Sequence, residues 1–207
     1  MTFLFLIVVA YLFGSIPTGV IVGRVRGFDP RAVGSGNVGM TNVVRAGGVG
    51  AAALTFIGDM LKGLIPVAFV KHEGFPPHVV AGVGLAAFVG AICSIFLGFK
   101  GGKGISAALG IWLAISPATI LIALAAFAIV VAATRIVSLA SISAAFVLPP
   151  AAAALSLPRH YLLLAIIMTA LALFRHKDNI GRLMRGEEKP LGSKAPSADT
   201  SSQVHGE

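Results

Sequence analysis

The sequence predicts an all-α, polytopic membrane protein with seven transmembrane helices, and its composition and hydropathy pattern carry that prediction. Of the 207 residues, 57% are hydrophobic and 12% are charged, and the mean hydropathy is +0.93. The apolar residues form runs of about 20, the length that a helix needs to cross a hydrocarbon core of roughly 30 Å. Such runs exceed what a soluble core requires, so we expect one integral-membrane domain over residues 1–188.

The first predicted helix covers residues 3–23 and contains a helix breaker. Pro17 removes an intrahelical hydrogen bond and Gly14 removes side-chain bulk, so we expect a bend or the close approach of another helix there. The run lacks the positively charged start of a signal peptide, so it is expected to be retained as a helix. A polar stretch, residues 24–50, follows and is unusually rich in glycine for a connector.

The second predicted helix, residues 51–70, carries two charges within its apolar sequence. Asp59 and Lys62 are three residues apart, which places them on one helix face. Charge at that depth is costly unless it is paired or faces a polar cavity. The sequence leaves both alternatives open, a structural pair or part of the wall of a site.

The third predicted helix covers residues 79–97, after an outer loop at 71–77, and a longer apolar run follows at 105–134. As one helix this run would measure about 45 Å, which is longer than a single crossing. Ser116-Pro117 provides a break, which gives a short fourth helix and a fifth that ends at Thr134.

The sixth and seventh predicted helices cover residues 139–155 and 161–174. A short interfacial helix is expected to start at Arg175. Residues 189–207 are rich in Ser, Pro and Ala without periodicity, which predicts a disordered cytoplasmic tail.

The net charge of +8 arises from basic residues that lie between apolar runs. With seven crossings, only Lys71 and Arg159 fall on one side of the membrane. By the positive-inside rule the other side is cytoplasmic, with the N-terminus outside and the C-terminus inside. The charge therefore indicates membrane topology and contact with phosphate or anionic lipid, and no nucleic-acid partner is expected. The basic residues assigned to the cytoplasmic side are Arg24, Arg26, Arg31, Arg45, Lys100, Lys103, Arg135, Arg175, Lys177, Arg182 and Arg185.

Metal and disulfide chemistry are not expected. Cys93 is the single cysteine, so it can form no disulfide within the chain. The five histidines are scattered without ligand spacing, so no metal site and no cofactor are predicted.

The segment 98–106 combines flexible glycine backbone with Lys100 and Lys103, a combination that suits an anion cradle. It is not a Walker A loop, because Gly104 follows Lys103 and Leu97 occupies the place of the first glycine. The alternative is a tight cytoplasmic turn whose lysines face lipid headgroups.

Three polar stretches are predicted to reach the same membrane face, after the first, third and seventh helices. Their groups are donors and cations, which suit phosphate oxygens and the negative charge that develops on an attacked carbonyl. These groups are Ser35, Asn37, Asn42, Arg45, Lys100, Lys103, His176 and Asn179, with the backbone N–H groups of Gly34, Gly36 and Gly101 to Gly104.

Residues 34–45, 100–104 and 175–180 with Glu188 resemble the three signature stretches of the bacterial acyl-phosphate:glycerol-3-phosphate acyltransferases, the PlsY family. Residues 59–63 and 138–141 are similar to lesser patterns of that family. The resemblance implies an enzyme of phospholipid synthesis in the cell (inner) membrane, with its active site on the cytoplasmic face. It would move a fatty acyl group from acyl phosphate to glycerol 3-phosphate, giving lysophosphatidic acid and phosphate.

The resemblance also implies roles for individual residues. Arg45 is assigned to the acceptor phosphate, and Lys103 with the backbone N–H groups of Gly101 to Gly104 to the acyl phosphate and its carbonyl. The alternative for Arg45 and Lys103 is contact with lipid headgroups. His176 either takes the proton of the attacking hydroxyl or donates a hydrogen bond while the acceptor's own phosphate takes it, and the resemblance favours the second route. The remaining site residues are Ser35, Asn179 and Ser141 for orienting hydrogen bonds, and Gly36, Asn37, Gly101, Gly102 and Gly104 for substrate binding.

Several of these residues have simpler alternatives. Asn37 and Asn42 suit a role in shaping the loop, and Glu188 suits a brace on the interfacial segment. Ser138 could bond to its own helix. Ala91 stands where the family often has histidine, so a histidine there is excluded from the essential machinery.

The alternative from another class is a transporter of a phosphorylated solute or a lipid headgroup. Asp59 and Lys62 favour it, whereas no internal repeat is visible and the polar groups cluster at one face. The expected partners are the two substrates, membrane lipid and an enzyme that supplies acyl phosphate.

Overall fold

The computed structural model describes residues 1–191, and within that range the protein is all-helical, as predicted. Two 3₁₀ turns, Pro30–Ala32 and Ile95–Leu97, lie between helices. Residues 192–207, most of the predicted disordered tail, lie outside the described residues. The α-helices are α1 (Thr2–Gly14), α2 (Thr18–Arg26), α3 (Met40–His72), α4 (Pro77–Ile92), α5 (Ile105–Ile115), α6 (Pro117–Thr134), α7 (Val137–Ala154), α8 (Arg159–Arg175) and α9 (Lys177–Met184).

Helices occupy all seven positions where a crossing is predicted, but they differ in length. Within the described chain, five segments are long and apolar enough to cross a membrane. α5 has 11 residues and is about 16 Å long, roughly half of the hydrocarbon core. The count of seven crossings therefore stays a prediction. The five segments are Thr2–Arg26, Met40–His72, Pro77–Leu97, Pro117–Thr134 and Val137–Ala154.

The predicted break at Pro17 is confirmed, and so is the close approach of another helix. α1 ends at Gly14 and α2 begins at Thr18. A Cβ atom added to Gly14 would lie 2.2 Å from the carbonyl oxygen of Ala87 in α4. Glycine is therefore needed here for helix packing.

The predicted polar connector over residues 24–50 is wrong at its end, because α3 begins at Met40 and residues 40–50 belong to that helix. Val43 is fully buried, and burial of this turn outweighs the low helix propensity of the glycines that follow. Gly47 packs against Phe28, whose ring would be 2.1 Å from an added Cβ. Gly48 has φ 77° and ψ −179°, which interrupts the helix in a conformation that favours glycine.

The predicted break at Ser116-Pro117 is also confirmed. α5 ends at Ile115 and α6 begins at Pro117, which occupies a first-turn position that suits proline. The hydroxyl oxygen of Ser116 caps α6 by accepting a hydrogen bond from the Thr119 N–H at 3.3 Å.

The core lies where α3, α4, α5 and α8 meet. Phe88, Trp112 and Met168 are among its largest buried side chains. α3 and α5 approach closely at Gly110, which has no side chain. An added Cβ there would lie 2.0 Å from the Met60 carbonyl oxygen. This tight core fixes the ends of the helices from which the polar segments emerge.

Candidate active site

The three polar stretches line one cavity of about 920 Å³. The loop before α3, the segment before α5 and the α8–α9 junction all contribute to it. Gly36 instead lines a neighbouring cavity of about 390 Å³. The other predicted site residues line the larger cavity: Ser35, Asn37, Arg45, Gly101, Gly102, Lys103, Gly104, Ser141, His176 and Asn179.

The loop before α3 is organised by Asn42, which is 2% exposed. Its Oδ1 accepts a hydrogen bond from the Ser35 N–H at 3.0 Å. Asn37 Oδ1 accepts from the Gly39 N–H at 2.9 Å. The loop-shaping alternative for Asn37 and Asn42 is therefore confirmed. Asn42 Nδ2 donates to the carbonyl oxygens of Pro30 at 2.7 Å, Val33 at 3.0 Å and Asn37 at 2.8 Å.

Two exposed polar groups, one in this loop and one in α3, have no hydrogen-bond partner among residues 1–191. The Arg45 guanidinium and the Ser35 hydroxyl make no hydrogen bond to another part of residues 1–191, and both line the cavity. Arg45 is therefore free to bind an anion.

Lys103, in the second polar stretch, contacts the third polar stretch. Its ammonium donates to Asn179 Oδ1 at 2.5 Å, across 76 residues of sequence. Burial lowers the pKa of Lys103 to about 8, although the nearby Glu188 carboxylate acts in the opposite direction. The ammonium is therefore charged at neutral pH but much closer to titration than that of an exposed lysine.

Glu188 holds this region together, which confirms its predicted role as a brace. Asn179 Nδ2 donates to Oε1 at 2.5 Å, and Arg182 Nε donates to Oε2 at 2.6 Å. The Ser138 hydroxyl donates to Oε1 at 2.7 Å, so the alternative in which Ser138 bonds to its own helix is wrong. Burial raises the pKa of Glu188, but these hydrogen bonds outweigh it and leave the pKa below its usual value. Glu188 is therefore ionised at neutral pH.

His176 is 2% exposed and has a defined tautomer. Its Nδ1 lies 2.8 Å from the Ala172 carbonyl oxygen, which assigns the proton to Nδ1 and leaves a lone pair on Nε2. Burial lowers the pKa of His176 to about 4, with the Lys103 charge acting in the same direction. At neutral pH this imidazole is uncharged, and Nε2 accepts hydrogen bonds.

Ser141 is buried in the cavity wall, and its hydroxyl donates to the Val137 carbonyl oxygen at 2.9 Å. It is therefore available to a substrate as an acceptor through its remaining lone pair.

The backbone of the lysine–glycine segment is bound on two sides. The Gly102 N–H donates to the Ala91 carbonyl oxygen at 3.0 Å, so this amide is not free for an anion. Arg175 donates to the carbonyl oxygens of Gly101 at 2.6 Å and Gly102 at 3.1 Å. This contact was not predicted, because its only local signal in the sequence is that Arg175 precedes His176.

The charges of α3 form a pair that also borders the cavity. Lys62 Nζ lies 2.7 Å from Asp59 Oδ1 and donates to the Ile16 carbonyl oxygen at 2.8 Å. The Thr18 hydroxyl also donates to Asp59. The pair therefore closes the α1–α2 break, and both alternatives left open by the sequence, a structural pair and a cavity wall, apply.

Apolar side chains also line the cavity. Phe56 of α3, Phe127 of α6 and Val137 of α7 line it together with the polar groups above. One continuous space thus joins cationic side chains to hydrocarbon surface.

Comparison with known proteins identifies close relatives. A family profile described as "Glycerol-3-phosphate acyltransferase" matches residues 4–186. The chain is 47% identical over 183 residues to the glycerol-3-phosphate acyltransferase of Geotalea daltonii, covering 88% of this chain and 94% of that protein. It is 47% identical over 185 residues to that of Geobacter sulfurreducens, covering 89% and 95%.

Two similar crystal structures are of PlsY (YgiH), an integral membrane glycerol 3-phosphate acyltransferase. Its glycerol 3-phosphate form gives a TM-score of 0.89 at 40% identity and covers 93% of this chain and 96% of that one. Its lysophosphatidic acid form gives a TM-score of 0.87 at 39% identity with the same coverage.

Proposed function

The chain belongs to the glycerol-3-phosphate acyltransferase family of integral membrane enzymes, and we propose that its acyl donor is a fatty acyl phosphate. The reaction gives lysophosphatidic acid and inorganic phosphate, which makes it an early step of phospholipid synthesis. One observation carries the proposal: the polar stretches line a single cavity whose lining includes both cationic side chains, which suit two phosphates, and apolar side chains, which suit an acyl chain.

We place the cavity on the cytoplasmic side of the cell (inner) membrane, in one domain of seven crossings over residues 1–188. The asymmetry of basic residues supports this orientation. α6 has 18 residues and α5 has 11, so α5 is shorter by about 10 Å. If both start near Ser116 at the outer surface, Lys103 lies deeper in the membrane than Thr134.

The phosphates bind to the cationic side chains of the cavity. Arg45, exposed and without a protein partner among the described residues, takes the acceptor phosphate through its planar fork of donors. Lys103 uses one of its three N–H groups on Asn179, and the others point at the acyl phosphate and its carbonyl. Ser35 and Ser141 contribute orienting hydrogen bonds.

The reaction needs no covalent enzyme intermediate, because acyl phosphate is a mixed anhydride with a good leaving group. A glycerol hydroxyl oxygen attacks the acyl carbon, the bond from that carbon to the phosphate oxygen breaks, and phosphate leaves. Lys103 stabilises the negative charge that develops on the carbonyl oxygen. Orientation of the two reactants in one cavity supplies the rest of the rate enhancement.

The proton of the attacking hydroxyl goes to a phosphate oxygen of the acceptor. A phosphate monoester has a second pKa of about 6, whereas burial lowers the pKa of His176 to about 4, so the phosphate is the stronger base. His176 instead accepts a hydrogen bond at Nε2 from a glycerol hydroxyl. The hydrogen-bond donor role expected from the sequence would require the imidazolium form, which burial disfavours.

Replacement of His176 tests this assignment. His176→Gln and His176→Asn are expected to retain measurable turnover, because loss of an obligatory general base costs about 10²–10⁴-fold and loss of one orienting hydrogen bond costs less. Phosphate release by the purified variants measures it. A loss of the full general-base size in both variants would instead assign the base to His176.

The acyl chain lies against the apolar side chains that line the cavity, among them Phe56 of α3 and Phe127 of α6. A chain in this position stays in hydrocarbon while its phosphate reaches Lys103. This arrangement supports a donor drawn from the membrane or delivered there by an enzyme that supplies acyl phosphate.

The donor is tested with purified protein in detergent, where no compartment exists to be crossed. Acyl phosphate, acyl-CoA and acylated carrier protein are compared as donors with glycerol 3-phosphate as acceptor. Lysophosphatidic acid is expected from acyl phosphate alone. Product from acyl-CoA or from the acylated carrier protein would overturn the proposed donor.

The transporter alternative loses the feature that favoured it. The Asp59 and Lys62 charges contact each other, and Lys62 also donates to backbone, so neither needs a transported ion as partner. Product formation in detergent separates the two functions directly.

A further inference from the structure

Arg175 is the last residue of α8, and its half-buried guanidinium binds the lysine–glycine segment. Nη2 donates to the Gly101 carbonyl oxygen at 2.6 Å, and Nε donates to that of Gly102 at 3.1 Å. One planar group therefore holds two consecutive peptide units.

This contact sets the orientation of the two peptide groups that precede the Lys103 side chain. In a trans peptide the C=O and the next N–H point in opposite directions. With both carbonyls turned to Arg175, the N–H groups of Gly102 and Lys103 point away from it. The Gly102 N–H reaches the Ala91 carbonyl oxygen of α4 on that opposite side, as this geometry requires.

The segment is thus held between α8 and α4 one residue before Lys103. Gly101 packs closely against α4, since an added Cβ would lie 2.5 Å from the Ala91 carbonyl oxygen. The same end of α8 carries His176, and Asn179 follows in α9. Arg175 therefore ties the lysine–glycine segment to the segment whose Asn179 receives the Lys103 ammonium.

Building on the proposed function, we propose that Arg175 is a positioning residue that orients Lys103 for catalysis and does not itself bind a substrate phosphate. Its two contacts need donors in a rigid fork, which a lysine ammonium does not reproduce. A phosphate-binding cation, in contrast, would be replaced in part by lysine. The two roles therefore predict different results for the same conservative substitution.

The test compares Arg175→Lys and Arg175→Gln with Arg26→Lys, a change at an exposed arginine of α2 that lines neither cavity. Both Arg175 variants are expected to lower kcat by about 10²-fold, the size of effect that a displacement of about 1 Å produces. The KM for glycerol 3-phosphate is expected to stay within about twofold, since Arg45 is unchanged. Arg26→Lys is expected to match the wild type.

Kinetics are measured on protein whose thermal unfolding in detergent resembles that of the wild type. Should Arg175→Gln not fold, Arg175→Lys, which keeps the charge and the aliphatic stem, decides the result. Near-normal kcat in Arg175→Lys, or a large rise in the KM for glycerol 3-phosphate with kcat intact, would overturn the positioning role. A wild type inactive with acyl phosphate would overturn the proposed function instead.

Discussion

Two polar assemblies border the same cavity and differ in how completely their charges are satisfied. In the first, Asp59, Lys62, Thr18 and the Ile16 carbonyl form a clasp at the α1–α2 break, with side-chain exposures of 9% for Lys62 and 18% for Asp59. In the second, Lys103 contacts Asn179, and Glu188 accepts from Asn179, Ser138 and Arg182. Lys103 keeps donors free, whereas the charges of the clasp face each other.

The two assemblies therefore have different roles: the clasp contributes to stability and the Lys103 assembly to catalysis. The clasp satisfies its charges internally, so its main effect is to hold α3 against α1 and α2. The Lys103 assembly keeps an ammonium partly buried with a single protein acceptor, which costs stability and leaves the charge available to a substrate. Perturbing each assembly is therefore expected to affect different measurements.

The largest expected effect follows from Lys103→Ala. Removal of the charge that stabilises the carbonyl oxygen is expected to lower kcat by about 10²–10³-fold, with little change in unfolding temperature, since Asn179 keeps its contact to Glu188. Phosphate release from acyl phosphate measures turnover. Near-normal turnover in this variant would show that Lys103 is not a catalytic residue. The two assemblies would then not differ in function.

The pH dependence gives the next largest effect. Burial lowers the pKa of Lys103 to about 8, so the active ammonium dominates below pH 8 and is lost as the pH rises through that value. Turnover is expected to fall about tenfold per pH unit above the pKa. Enzyme held at pH 9 and returned to pH 7 should regain full activity, which separates titration from unfolding. A flat profile up to pH 10 would contradict the assignment.

The smallest expected effect on turnover follows from Asp59→Asn, which acts on stability instead. It leaves Lys62 buried without its counter-charge, at a cost of roughly 3 kcal/mol, while turnover of the folded protein is expected to stay within about threefold. Thermal unfolding in detergent and phosphate release measure the two effects. Asp59→Asn combined with Lys62→Met should recover part of the stability, since no unpaired charge remains. If the Asp59→Asn variant is stable but inactive, the clasp has a role in catalysis and the contrast is wrong.

Local patterns predicted several features correctly. The breaks at Pro17 and Pro117 were predicted because proline acts on its own helix. The shared face of Asp59 and Lys62 was predicted because their spacing matches the period of a helix, which is also a local property. The start of α3 was missed. Its first residues are rich in glycine and polar groups, and they are stabilised by contacts from distant segments. Asn42 hydrogen-bonds to the preceding loop, and Val43 packs with Val22 and Phe28.

Taken by itself, the sequence determined the all-helical membrane character, the helix breaks and the residue types that suit two phosphates, because hydropathy and backbone preferences act over a few residues. The tertiary structure decided which groups face the cavity and which are committed elsewhere. Lys103 meets Asn179 across 76 residues, and Arg175 meets Gly101 across 74. Such contacts depend on how whole helices pack, and packing is set by shape complementarity between distant segments, which no local pattern records.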